Sequence, residues 1–146
     1  MSDVRTTTAV LPPRAGLGWQ IALWTSQILL AGFYGLSGFM KTTMTPEQLV
    51  PMGLNYAVDI PHWLLLFIGA MELAGAVGIV LPALARIAPS LTPLAALGFV
   101  TLQVLAIVFH ITRGELHVLP MNVVLVAIAV FVLWGRAAKA PIEGRF

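Results

Sequence analysis

A lone carboxylate, Glu72, stands in the middle of an apolar run that begins at Trp63. At 1.5 Å per residue it lies about 14 Å along a helix axis, close to the middle of a hydrocarbon layer about 30 Å thick. An ionisable side chain at that depth is costly, so it turns inward to a partner. It can exchange a proton, hold a cationic group, or organise the packing around it. The residues three and four positions away are Ile68, Gly69, Gly75 and Ala76, mostly small, so the Glu72 face can approach another helix closely.

Other polar side chains recur at helical spacing. Gln27, Tyr34 and Lys41 are seven apart and share one face, joined by Ser37 and Gly38. Gln103 and His110 are also seven apart, and Asn122 opens the last apolar run. Counted by depth, Tyr34, Glu72 and Gln103 fall near mid-membrane, Lys41, His110 and Asn122 near the outer surface, and Gln27 toward the cytoplasm. Turned inward, these stripes predict a polar core open or nearly open to the outside. A plainer reading competes at several positions. Tyr34, Gln103 and Asn122 can simply join helices by hydrogen bonds. Lys41 and Arg113 can be boundary cations that snorkel to the headgroups. That reading is favoured for Arg113, while for Lys41 the face shared with Tyr34 keeps both open. His62 and His117 read as solvated loop histidines. Glu72 is the one expected to carry function or to organise the core.

Four apolar stretches must position these groups: residues 19–40, 63–85, 91–111 and 119–135, each long enough or nearly so to span a bilayer. Pro61 precedes the second stretch, Pro82 and Pro89 bracket a turn over 83–90, and Pro93 and Pro120 suit the first turns of the third and fourth. Trp19, Trp24, Trp63 and Trp134 stand near predicted helix ends, as interfacial tryptophans do. In the connection 42–61, Thr45-Pro46-Glu47-Gln48 has the form of a helix start and predicts a short interfacial helix, with an apolar loop on the headgroups as the alternative.

Composition agrees with a membrane protein. Of 146 residues, 59% are hydrophobic and 10% charged, against about a quarter charged in soluble domains. The mean hydropathy is +0.94. Arg5, Arg14, Arg86, Arg136, Lys139 and Arg145 fall on one set of ends, and only Lys41 and Arg113 on the other. The first set should be cytoplasmic. The expected fold class is therefore an all-α, four-transmembrane-helix up-down bundle with both termini cytoplasmic. Residues 1–18 form a cytoplasmic segment, 19–135 the bundle and 136–146 a cytoplasmic tail. Residues 1–18 lack the apolar core of a cleavable signal, so the first membrane helix is expected to serve as targeting signal. The tail 142–145 matches a protease cleavage sequence and carries no functional weight.

The runs 32–41 (GFYGLSGFMK), 68–75 (IGAMELAG) continuing to Leu81-Pro82, and 110–115 (HITRGE) resemble the DoxX-like family of small bacterial membrane proteins, over about residues 20 to 135. The resemblance implies a four-helix membrane bundle in the bacterial inner membrane. It also implies that Lys41, Glu72 and His110 form a polar core, with Asn122 as a further member. The family is named for a subunit associated with a thiosulfate:quinone oxidoreductase, which implies links to redox complexes or membrane-protein assembly.

Three functions follow. The first is an accessory or structural subunit of a larger, redox- or quinone-linked complex, its partners being lipid, other membrane subunits or further copies of itself. The second is a quinone-binding component in which Lys41 and His110 hold a carbonyl and Glu72 supplies a proton. The third is a proton-coupled transporter built on Glu72. With no cysteine, no thiolate-ligated metal or thiol chemistry is available. No flavin, nucleotide or haem pattern is present, so no metal and no resident cofactor are expected, an exchangeable quinone apart. The basic residues form no patch, and no nucleic-acid partner is expected.

Overall fold

The structure, a computed structural model, describes residues 15–146, so Arg5 and Arg14 lie outside it. The described residues form five α-helices and no strand: α1 (Leu17–Thr43), α2 (Pro46–Leu49), α3 (His62–Ala85), α4 (Leu91–Thr112) and α5 (Leu119–Trp134). α3, α4 and the stretch Leu116–Lys139 that contains α5 are each long and apolar enough to cross a membrane. α1 has 27 residues, but Gln20, Thr25, Ser26, Gln27 and Ser37 make it the least apolar of the four long helices.

The long helices close into a ring in which α1 packs along α3, α3 along α4, α4 along α5, and α5 back onto α1. Glycines set the separations. A Cβ built on Gly38 would stand 2.6 Å from the Gly69 carbonyl oxygen, and one on Gly75 would stand 2.6 Å from the Phe99 ring. Gly35 meets Ala76 and Gly38 meets Gly69, so α1 and α3 run antiparallel. The central apolar core is Leu30, Tyr34, Ile79, Ala96, Phe99, Leu125, Ala129 and Val132.

The distribution of polarity is inverted relative to a water-soluble bundle. Gln27, Lys41, Glu72, Thr92, Gln103 and Arg136 are buried, whereas Ile28, Leu29, Phe67, Val77, Leu94, Leu105, Val123 and Val124 are exposed. The hydrophobic effect cannot drive that arrangement in water. It fits a bundle whose solvent is hydrocarbon and whose polar groups find each other inside.

Two boundaries differ from the sequence expectation. The second stretch, expected at 63–85, is α3, which runs through Pro82 to Ala85, so the turn occupies 86–90 and not 83–90. A proline inside a helix disturbs the carbonyls one turn earlier, which neighbouring side chains must then satisfy. The carbonyl that loses its donor is that of Gly78, four residues back, and Gln27 Nε2 donates to the next carbonyl, Ile79, at 2.6 Å, tying α1 to α3 at this turn. Arg86 then closes α3 in the left-handed region, at φ 58°. At the far end, α5 stops at Trp134 and the chain continues as a π-helical turn, Gly135–Lys139.

The connection after α1 is folded. The Thr45 N–H donates to Gln48 Oε1 at 2.9 Å and starts α2, followed by 3-10 turns at Val50–Met52 and Asn55–Val58. Leu49, Ala57 and Leu65 form a small second core, with Met40, Met44, Leu54, Tyr56 and Ile60 against it. The segment is thus packed down on the ends of α1 and α3.

Candidate functional site

Lys41 and Glu72 form a buried ion pair. Lys41 Nζ donates to Glu72 Oε1 at 2.6 Å and to Ser37 Oγ at 2.9 Å, and each side chain of the pair is 5% exposed. The Lys41 Cα sits in the last turn of α1, but a helical side chain leans toward its own N-terminus. The ammonium is therefore carried back one turn, to the level of Ser37. Glu72, on an antiparallel helix, leans the other way, and the two charges meet between their Cα levels. Gly38 and Gly69 allow this, because the backbones touch there.

The same level carries further polar groups. Tyr34 stacks on Phe99, with ring centroids 3.9 Å apart and planes at 11°. Gln103 Nε2 donates to Asn122 Oδ1 at 2.9 Å, and also approaches the Asn122 carbonyl at 3.3 Å. The α3–α4 approach of Gly75 to Phe99 places Gln103 near the level of Glu72. Three buried atoms of this layer have no hydrogen-bond partner among the described residues: Tyr34 OH, Glu72 Oε2 and Asn122 Nδ2.

From Lys41 a chain of polar and aromatic contacts leads to the end of the bundle that carries α2. The Lys41 ammonium is 5.9 Å from the Tyr56 ring, and that ring meets His110 edge-on at 5.7 Å. His110 Nδ1 lies 2.7 Å from Glu115 Oε2. Arg113 Nε donates to Glu115 Oε1 at 3.0 Å, and its Nη2 donates to Asp59 Oδ2 at 2.6 Å. Burial pushes the Tyr56 phenol up, with the nearby Lys41 ammonium pulling the other way. The hydrogen bond with His110, and then that from Arg113, hold the Glu115 carboxyl below the usual range.

A depressed folded value makes Glu115 stabilising above the ordinary glutamate value of about 4.3, and that contribution is lost as pH falls through the lowered folded value. Amide hydrogen exchange of the 54–60 segment, corrected for intrinsic rates, should accelerate as acidification passes through the lowered Glu115 value. Glu115→Gln should show the faster exchange already at neutral pH. Identical exchange in the variant would mean that this network does not hold the loop.

At the opposite end, Arg136 is buried. Its Nε donates to Gln27 Oε1 at 2.6 Å and its Nη1 to Gln20 Oε1 at 2.8 Å, with the guanidinium 5.4 Å from the Trp24 ring. Gln27 thus joins α1, α3 and the end of α5.

Of the residues singled out from sequence, Lys41 and Glu72 are in direct contact, Gln103 and Asn122 are in direct contact, and Tyr34 lies in the same layer. Lys41 and Asn122 were expected one layer further out and instead reach the middle one. His110 does not touch Glu72; it is bound to Glu115, with Tyr56 between it and Lys41. Arg113 is not a simple boundary cation, because it joins Asp59 to Glu115. The polar core expected to open outward is covered by the folded segment carrying Tyr56. Sequence reasoning missed Arg136, Tyr56, Glu115 and Asp59. The only sequence signal for Glu115 was its nearness to His110 in the run 110–115.

The model of the DoxX-like family matches residues 25–132. No curated protein and no solved structure matches the chain.

Proposed function

The chain belongs to the DoxX-like family, and from that premise we propose that it is a four-span protein of the bacterial inner membrane that serves as an accessory subunit of a larger membrane complex. One observation carries the reading: the polar side chains are spent on holding the four helices to one another, while apolar side chains face outward on all four. α1 follows the same rule as its neighbours. Ile21, Ile28, Leu29, Phe33, Leu36 and Phe39 are exposed, and Gln27, Tyr34 and Lys41 are buried, which supports α1 as the fourth span. Lys41 is consumed in an internal pair, which among the described residues leaves Arg113 as the one other Lys or Arg at the α2 end. Arg86, Arg136, Lys139 and Arg145 at the opposite end support cytoplasmic termini.

A partner helix has a suitable seat between α3 and α4. A groove of about 680 Å³ there is lined by Gly75, Gly78, Ala95 and Gly98 together with Phe67 and Leu105. Small residues let helix backbones approach closely in lipid, where packing rather than hydrophobicity drives association. Solubilising native membranes in mild detergent, followed by mass spectrometry and an absorption spectrum, should recover the chain with a stoichiometric larger partner. Gly98→Leu should abolish that recovery without changing the melting temperature, since nothing lies within 4 Å of a Cβ at Gly98. Recovery of the chain alone, as monomer or homodimer, would overturn the accessory reading.

The orphaned Tyr34 OH, Glu72 Oε2 and Asn122 Nδ2 support a second reading. In it the layer takes the polar head of an exchangeable ligand such as a quinone, or hands a proton through Glu72 to a transported solute.

A further inference from the structure

We infer that the bundle end formed by the 86–90 turn, the start of α1 and the turn Gly135–Lys139 binds a phosphoryl anion, the charge carried by an acidic phospholipid headgroup or by free phosphate. The first support is Arg136. It is 3% exposed, yet its three acceptors, Gln20 Oε1, Gln27 Oε1 and the Ala140 carbonyl, are all neutral. No carboxylate among the described residues lies within ion-pair distance of it, and its Nη2 is buried without a partner. A guanidinium taken out of water without a counter-charge is strongly unfavourable, and its planar fork matches phosphate oxygens.

The second support is a cavity of about 670 Å³ at this end of the bundle. Gln20, Trp24 and Ala140, which surround the Arg136 guanidinium, are also in its wall, so the buried charge stands one side chain behind the surface. Arg86 and Lys139 add two cations to the wall against one carboxylate, Glu143. Arg136 and Lys139 both belong to the π-helical turn, a distortion frequent at functional sites. The third support is the aromatic surround. Trp134 lies 5.5 Å from Trp19 and beneath the Lys139 ammonium at 5.4 Å. Tryptophans of this kind sit at headgroup level, and basic pockets among spanning helices take acidic headgroups. Access from headgroup level rests on the membrane reading proposed above; the charge argument does not.

The test uses the full chain, delipidated in neutral detergent at constant ionic strength, and follows thermal unfolding. Phosphatidylglycerol should raise the melting temperature where phosphatidylcholine does not. The double variant Arg86→Gln/Lys139→Gln, whose side chains take no part in the Lys41–Glu72 layer, should weaken the apparent affinity about tenfold, the loss of roughly one good charge contact. Arg136→Gln should abolish the lipid preference; if that variant does not fold, the double variant still decides. Stabilisation by millimolar inorganic phosphate and not by the lipid would support the anion site with a soluble ligand. No stabilisation by either, or equal stabilisation by phosphatidylcholine, would overturn the inference. None of these outcomes depends on whether a partner subunit co-purifies.

Discussion

Replacing Glu72 by alanine should destabilise the detergent-solubilised bundle by about 3–5 kcal/mol, the range seen when one partner is stripped from a buried ion pair. The size follows from burial: at 5% exposure each, the two side chains have no water to replace the lost contact. Glu72→Gln should fall between alanine and the parent, because an amide still accepts a hydrogen bond from Lys41 but leaves the ammonium uncompensated. Gln103→Leu, which removes a neutral interhelical donor and leaves Asn122 Oδ1 unpaired, should cost less, about 1–3 kcal/mol. Thermal unfolding in detergent orders these variants, and an unchanged melting temperature for Glu72→Ala would mean that the carboxylate has no partner. The double replacement Lys41→Met/Glu72→Leu should recover most of the loss, since apolar side chains of similar volume commonly replace a buried pair at little cost. That variant also separates the two functional readings. A pair that only braces the bundle can be lost without loss of co-purification, whereas ligand or proton handling through Glu72 would be abolished in a protein that remains folded.

Gly38→Val should destabilise by about 2–3 kcal/mol, the upper part of the range typical of overpacking. A Cβ at Gly38 would stand 2.6 Å from the Gly69 carbonyl and 3.0 Å from the Leu73 nitrogen. Both are helix backbone and cannot rotate away, so α1 must move off α3. Because Lys41 and Ser37 flank Gly38, the same displacement lengthens the Lys41–Glu72 contact, and the loss should be non-additive with Glu72→Ala. Gly32 is the control on the same helix. Nothing lies within 4 Å of its Cβ, so Gly32→Ala should be neutral or slightly stabilising. Equal melting temperatures for Gly38→Val and the parent would mean that α1 and α3 do not meet at these glycines.

Much of the architecture was legible in the sequence because the relevant signals are local. Twenty-odd apolar residues between prolines and tryptophans define a long helix wherever it later packs. A seven-residue recurrence places Gln27, Tyr34 and Lys41 on one face whatever that face meets. Thr45-Pro46-Glu47-Gln48 starts its short helix through bonds within four residues. Glu72 stood out because a carboxylate in an apolar run needs a partner.

The partner itself, and the true depth of each polar group, are tertiary. Counting residues locates Cα atoms, but Lys41 acts a turn deeper, at the end of a stem that leans back along α1, and Asn122 is level with Gln103 only because of the α4–α5 register. Pro82 read as the near bracket of a turn over 83–90, although the apolar stretch itself ran to 85. In the structure the helix runs through it to Ala85, and Gln27, from another helix, donates to the Ile79 carbonyl one turn before it. Arg136 read as a topology signal at the end of a span. Its burial depends on Gln20 and Gln27, the latter 109 positions away, and no local pattern encodes a contact across that distance. The sequence thus determined which segments are helical and which faces are polar, because periodicity is a property of one helix. The ring closure decided which polar groups meet, because charges and amides buried away from water are placed by the partners that the other helices bring.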